Sequence, residues 1–241
     1  MGQLDLESVE YWKKILRETP LSIYTKSLDN LKEAFFLEDR HIRCIDEGHV
    51  GGIRLAGVGI LCQDRLEEVL TGKVDGIYTH EECGAAVLYA KQNAFDLKKA
   101  EGYVIAWAQK LAKKLNVPYK GHTPIAEMNR PAGLHIAQVV YYDGTGQFDP
   151  YRIKELPPGF VISRYLLGSE YAKNELSISI NIALGRSGLR DLFTINTPFN
   201  IVPVGHPDIP ALSLAVLTEE AKLIAKQFKG RVAVNGFIAP A

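Results

Sequence analysis

Short β-prone runs and helix-like segments alternate along the first half of the chain, and this order constrains the fold more than any other feature of the sequence. Apolar runs at 41–45, 52–56 and 73–79 are typical of buried strands, and helical patterns follow the second and third of them. Strands joined by crossovers rather than by tight hairpins pair in parallel. The sequence therefore predicts an α/β fold with a mainly parallel sheet flanked by helices.

The C-terminal part has a different character. A strand at 134–142 is followed by Asp-Gly-Thr-Gly, a sequence that favours a hairpin-type turn at 143–146. After about residue 157, apolar stretches are broken by Pro, Gly and Asn. They predict an extra β-rich C-terminal segment with candidate strands at 159–167, 176–184, 199–204 and 211–217.

Side chains that bind transition metals stand at the ends of two predicted strands. Cys44 ends the first strand, and His80 and Cys83 follow the third at a spacing that lets both face one way in a turn entering a helix. Because ligands of open parallel sheets bind outside the carboxyl ends of the strands, these side chains are expected at one site. Two thiols and an imidazole are ligands that Zn²⁺ prefers, and Asp46 is a candidate fourth ligand.

The composition narrows the function classes. Lysine plus arginine equals aspartate plus glutamate, at 28 each, so a broad surface for nucleic acid or for an anionic membrane is not expected. Three cysteines do not suggest a disulfide framework, and thiols used as ligands fit a reducing compartment. No apolar run approaches the ~20 residues of a membrane helix, and the first residues do not resemble a signal peptide. We expect a cytoplasmic protein with no nucleic-acid or membrane partner.

The metal-ligand segments resemble the motifs of the β-class carbonic anhydrases. That family carries Cys-x-Asp-x-Arg, then an Arg-Asn-Ala-Gly-like strand, then His-x-x-Cys-Gly, and late in its domain an edge strand with an Asp-x-x-Thr-Gly turn. The strand that ends in Tyr142-Asp-Gly-Thr-Gly146 is similar to that late strand. The three earlier motifs correspond here to Cys44-Ile-Asp46-Glu-Gly48, Arg54-Leu-Ala-Gly57 and His80-Glu-Glu-Cys83-Gly84.

The resemblance implies a function and a domain organisation. It implies a Rossmann-like, mainly parallel sheet, zinc held by Cys44, His80 and Cys83, and reversible hydration of carbon dioxide to bicarbonate. It also implies a homodimer or dimer-based oligomer with the active site near the subunit interface. It covers about residues 28–150, which we take as a zinc-binding domain. Residues 1–27 are expected to form an N-terminal helical arm, and 151–241 a C-terminal α/β extension packed on or continuing the core.

The chain departs from the family at the residue that matters most for Asp46. Gly48 stands where the motif has arginine, and Leu55 stands where asparagine is usual. A carboxylate without its cationic partner is strongly attracted to a nearby Zn²⁺ ion in a site that excludes water. Asp46 is therefore expected to ligate zinc in the resting enzyme unless another cation restrains it. The candidate cations are Arg43, Arg54 and His49 nearby, and Arg164, Arg186 and Arg190 from the C-terminal part.

Asp46 and His49 are the candidate catalytic residues. Asp46 would orient the reacting water, and His49 would serve as a proton shuttle or support a ligand. Two alternatives remain open from the sequence. One is a zinc hydrolase of another small heterocumulene, such as COS or CS2. The other is a non-catalytic protein that keeps the fold and uses zinc only for stability.

Overall fold

The computed structural model describes residues 6–45, 52–128, 138–185 and 190–241. The first half of the described chain forms a four-stranded sheet in which every pairing is parallel, in the order β2-β1-β3-β4. Its strands are β1 (His41–Arg43), β2 (Ile53–Arg54), β3 (Gly76–His80) and β4 (Tyr119–Thr123). The parallel sheet predicted from the strand and crossover order is confirmed.

Helices α3 (Leu66–Leu70), α4 (Gly84–Gln92) and α5 (Ala100–Leu115) connect and flank these strands. Helix α5 buries Val104, Trp107 and Leu111, which recur at helical spacing, against the sheet. Strand β4 has no counterpart in the sequence prediction. Its sequence, YKGHT, is largely polar, with Lys120 exposed and the other four residues half-buried, so it carries no apolar run that marks a strand.

The second half forms another parallel sheet, in the order β6-β5-β7-β8, with β9 also paired to β7. Strands β5 and β7 are buried along their whole length, as expected for interior strands of a parallel sheet covered on both faces. The strands are β5 (Val139–Asp143), β6 (Gly159–Ser163), β7 (Phe199–Gly205), β8 (Val232–Val234) and β9 (Phe237–Ile238).

The turn after β5 is not a hairpin turn, and β5 is not an edge strand. β5 lies between β6 and β7 and is parallel to both. The Asp143 carboxylate shapes the turn by accepting hydrogen bonds from the backbone of Thr145 and Gly146 and from the Ser163 hydroxyl. The local sequence favours a tight turn, but the chain leaves it toward a parallel neighbour. The second sheet thus begins before residue 150, the predicted end of the zinc-binding domain.

Two of the four predicted C-terminal strands are helical. Residues 176–184 belong almost entirely to α6 (Arg164–Ala183), and most of 211–217 belongs to α7 (Leu214–Ala225). The Ile-Ser-Ile-Asn-Ile alternation has the period of a strand. However, Leu176, Ser179 and Ile180 are the residues that become fully buried, which is helical spacing. The other two stretches overlap β6 and β7, so the segment combines helices with parallel strands.

The described part of the N-terminal segment is mainly helical, with α1 (Leu6–Glu18) and α2 (Leu21–Tyr24). Val9 and Trp12 of α1 are buried within the chain. The Asn235 side chain, between β8 and β9, accepts the backbone N–H of Leu21 at 2.8 Å. No helix in the described ranges has the length and apolar character needed to cross a membrane.

The two sheets share one hydrophobic core. Buried residues of β1 and β3 belong to the same cluster as buried residues of β5 and β6, and helix α6 of the second half packs against the segment that follows β2. Side chains of the second half can therefore reach the carboxyl edge of the first sheet.

Candidate metal centre

The predicted ligands meet at the topological switch point of the first sheet. β1 lies between β2 and β3, and the chain passes from β2 across β1 to reach β3. The connections after β1 and β3 therefore diverge, and a crevice opens at the carboxyl ends of these two strands. Cys44 directly follows β1 and His80 is the last residue of β3. The sequence prediction that the two segments converge is confirmed.

Cys44, His80 and Cys83 form a buried group that could hold a metal ion. One ligand atom of each lies within 4.8 Å of the others. The two sulfurs are 3.8 Å apart and are not joined in a disulfide. Two sulfurs bound at about 2.3 Å to one tetrahedral zinc ion are separated by about 3.8 Å, so the observed spacing fits that geometry.

The His80 ring is set up to ligate through one nitrogen. Its Nδ1 lies 2.7 Å from the carbonyl oxygen of Glu81. A carbonyl oxygen only accepts hydrogen bonds, so Nδ1 carries the proton and donates it. The lone pair then resides on Nε2. Metal-binding histidines are held in this way, with the second ring nitrogen bonded to a carbonyl or carboxylate.

The turn that carries His80 and Cys83 is fixed by contacts on both sides. Glu82 has a left-handed backbone with φ of 56°, and its N–H donates to the Glu101 carboxylate of α5 at 2.8 Å. The Glu81 carboxylate accepts the N–H of Ile125 at 2.8 Å. Cys83 is the residue that precedes the first turn of α4, where the positive end of the helix favours a thiolate.

A short turn at Ala56–Gly59 lies against both sulfurs. The Gly57 N–H donates to Cys44 Sγ at 3.1 Å, and a Cβ atom at Gly57 would stand 3.5 Å from Cys83 Sγ. That Cβ would also lie 2.8 Å from the Ala85 Cβ, which no real side chain tolerates. Gly57 has φ of 53° and is followed by Val58 with φ of 51°. A left-handed valine costs about 1–2 kcal/mol, so surrounding contacts must hold this turn.

The residues expected to restrain Asp46 have other contacts in the structure. Arg54 is buried and its Nη1 donates to the Cys44 carbonyl at 3.0 Å. Arg43 lies with its guanidinium 4.0 Å from the centre of the Tyr78 ring. Arg164 pairs with Glu220 at 3.1 Å, at the second sheet. Arg54 thus contacts the segment that carries Cys44. Arg186 and the Arg190 side chain lie outside the described part.

The fourth ligand position is not described. Asp46, Gly48 and His49 all fall in the range 46–51, outside the described residues. The roles predicted for Asp46 and His49 therefore stay predictions.

Two residues near the centre escaped the sequence prediction. Glu175 of α6 is buried, and its carboxylate accepts the Ala56 N–H at 2.8 Å. Burial raises the pKa of Glu175 to about 7, against the lowering effect of the Ala56 N–H. Trp107 of α5 donates its indole N–H to the Val58 carbonyl at 3.0 Å. A helical reading of 164–183 would have placed Glu175 on the buried stripe, where an acid is unexpected.

Comparisons of the chain with protein-family profiles, with curated proteins and with solved structures found no match. The resemblance to the β-class carbonic anhydrases therefore rests on the motifs alone.

Proposed function

We propose that Cys44, His80 and Cys83 bind Zn²⁺ and that the protein catalyses the reversible hydration of carbon dioxide to bicarbonate. The observation that carries the proposal is the buried sulfur–nitrogen–sulfur set, with its sulfurs 3.8 Å apart and its histidine tautomer fixed by Glu81. Three protein ligands are the number found in catalytic zinc sites, which keep one position open. The order of the motifs along the chain adds support.

Each residue has a separate task in this proposal. Zinc, when bound, supplies a Lewis acid that activates water near neutral pH. Cys44 and Cys83 contribute two negative charges, which weaken that effect and move activity toward higher pH. The Gly57 N–H withdraws part of the charge from Cys44 and opposes this weakening.

Asp46 and His49 complete the proposal from the sequence. Asp46 either occupies the fourth position or accepts a hydrogen bond from the reacting water and orients it. His49 carries the released proton toward solvent, since its ordinary pKa lies near neutrality. We further propose a homodimer or dimer-based oligomer in the cytoplasm, with no nucleic-acid or membrane partner.

Metal content and stopped-flow CO2 hydration test the proposal together. We expect about one zinc per chain in the purified protein, and its loss in Cys83→Ser but not in the matched Cys62→Ser variant. Hydration should be measured near pH 7 and at about pH 8.5–9. Activity confined to the higher pH would support a resting site closed by Asp46, and Asp46→Ala should then change the pH profile.

Two results would refute the proposal. Protein without zinc that also fails to bind added zinc would remove its basis. Zinc-loaded protein without hydration activity at either pH would exclude the carbonic anhydrase reaction, and turnover of COS or CS2 would then decide between the hydrolase and a purely structural metal.

A further inference from the structure

We infer that Glu175 is a positioning residue for the metal centre, which holds the Ala56–Gly59 turn so that the Gly57 N–H stays directed at the Cys44 sulfur. The inference rests on the metal site proposed above. It also assigns a task to the second half of the chain, because Glu175 belongs to α6 and is 119 positions from Ala56 in the sequence.

The contacts form a continuous path from α6 to the ligand. Glu175 Oε2 accepts the Ala56 N–H at 2.8 Å. The same peptide group carries the Leu55 carbonyl, which accepts the Val58 N–H at 3.1 Å and closes the turn. Hydrogen bonds at the two ends of one peptide group strengthen each other, so Glu175 reinforces the closing bond. Within the closed turn, Gly57 donates to Cys44 Sγ.

The turn needs this support because its backbone is unfavourable. Gly57 and Val58 are consecutive left-handed residues, and valine is among the residues that adopt this conformation least readily. Two side chains hold the turn from different helices. Glu175 bonds the backbone at Ala56, and the Trp107 indole bonds the Val58 carbonyl. The donor to the thiolate lies between these two anchors.

Glu175 is an unfavourable choice for a residue that only fills space. Its second oxygen, Oε1, is buried and has no hydrogen-bond partner among the described residues, and the same holds for the Ser179 hydroxyl one helical turn later. A buried carboxyl group with incomplete hydrogen bonding destabilises a core, and methionine of similar size would avoid that cost. A residue that is locally unfavourable yet adjacent to a site points to a role at that site.

Removing the Glu175 carboxylate is expected to weaken metal binding without an equal loss of folding stability. Groups that orient and polarise metal ligands from behind typically contribute about 10–100-fold to affinity. Glu175→Met removes the acceptor while keeping the volume, and Glu175→Gln keeps an acceptor oxygen. Ser179→Ala is the matched control, since it alters a buried polar group on the same face of α6 that makes no hydrogen bond to the turn among the described residues.

The test uses the full chain with Zn²⁺ or Co²⁺ as the only added ligand. Zinc affinity is measured at pH 7 by competition with a chromophoric chelator, and Co²⁺ reports thiolate bonding through its sulfur-to-metal charge-transfer absorption. We expect Glu175→Met to bind zinc about tenfold more weakly and to shift the cobalt absorption. The zinc affinity of Glu175→Gln should stay within about threefold of the wild-type value, and the zinc affinity of Ser179→Ala should equal the wild-type value. Urea unfolding of each metal-free variant gives its free energy of unfolding, with which the change in zinc affinity is compared.

The outcomes separate this inference from the proposed function. Wild-type protein that binds neither metal overturns both. Wild-type protein that binds zinc, together with a Glu175→Met variant of equal affinity and identical cobalt spectrum, overturns the positioning role alone. A Glu175→Met variant that loses affinity only in step with lost stability also overturns it, because a positioning role predicts weaker binding by a protein that is as stable as the wild type or more so.

Discussion

Replacing Glu175 with glutamine should remove a specific pH dependence from the stability of the protein. The carboxyl group is completely buried, and burial raises its pKa from an ordinary value of 4.5 to about 7. Each pH unit of difference between the folded and unfolded values is worth about 1.4 kcal/mol, so the full penalty is about 3 kcal/mol. Glutamine fills the same space and has no charge to bury.

The direction of the pH effect on stability depends on whether the folded or the unfolded state holds the proton. Below the unfolded pKa both states are protonated, and Glu175 carries no penalty. Between about pH 4.5 and 7 the unfolded chain has lost this proton while the folded protein keeps it, so the free energy of unfolding falls as the pH rises. Above about pH 7 the folded protein has also lost the proton, and Glu175 causes no further fall in the free energy of unfolding. Relative to Glu175→Gln, the wild type should carry a penalty of about 1 kcal/mol at pH 5 and about 3 kcal/mol at pH 8.

The assay is urea unfolding of metal-free protein, followed by far-ultraviolet circular dichroism at several pH values from 5 to 8. Asp143 and Asp149 also have pKa values raised by burial, but both are present in the two proteins and cancel in the difference. Ser179→Ala should show the pH dependence of the wild type. A difference between wild type and Glu175→Gln that stays constant from pH 5 to 8 would show that the carboxyl group is not buried as described.

Further substitutions test the packing around the centre. Gly57→Ala should lower the free energy of unfolding by about 2 kcal/mol in urea titrations, because the new Cβ meets the Ala85 Cβ at 2.8 Å; an unchanged midpoint would contradict the described turn. Cys83→Ser should weaken zinc binding more than about 100-fold in chelator competition, since a lost ligand costs more than a lost supporting bond, and Cys62→Ser should leave it unchanged. Asp143→Ala should destabilise the second sheet by about 3 kcal/mol in the same titrations, because it leaves several buried donors without their acceptor.

The convergence of Cys44, His80 and Cys83 could be predicted from the sequence because two local patterns and one rule of topology are enough to bring the three residues together. The apolar runs before Cys44 and His80 mark strands, and the carboxyl ends of neighbouring parallel strands meet at one edge. The spacing of His80 and Cys83 adds a turn into a helix. Each inference uses residues close together in the chain, where periodicity and turn chemistry carry most of the information.

The supporting residues could not be predicted in the same way. The bond from Glu175 to Ala56 joins residues from opposite halves of the chain, and nothing in the sequence near either residue indicates the other. The alternation in 176–184 also favoured a strand, which concealed the buried stripe of α6. Helix and strand periods are hard to distinguish over so short an apolar run, and packing against β5 and β6 decided the outcome.

The second half of the chain therefore contributes to the support of the candidate metal centre. The turn that bonds Cys44 is anchored on one side by α5, through Trp107, and on the other by α6, through Glu175. Any ligand that stabilises the closed turn also stabilises the packing of α6 on it, because coupling between two equilibria acts in both directions. Metal binding and the docking of the second half should thus stabilise each other, although no described ligand comes from that half.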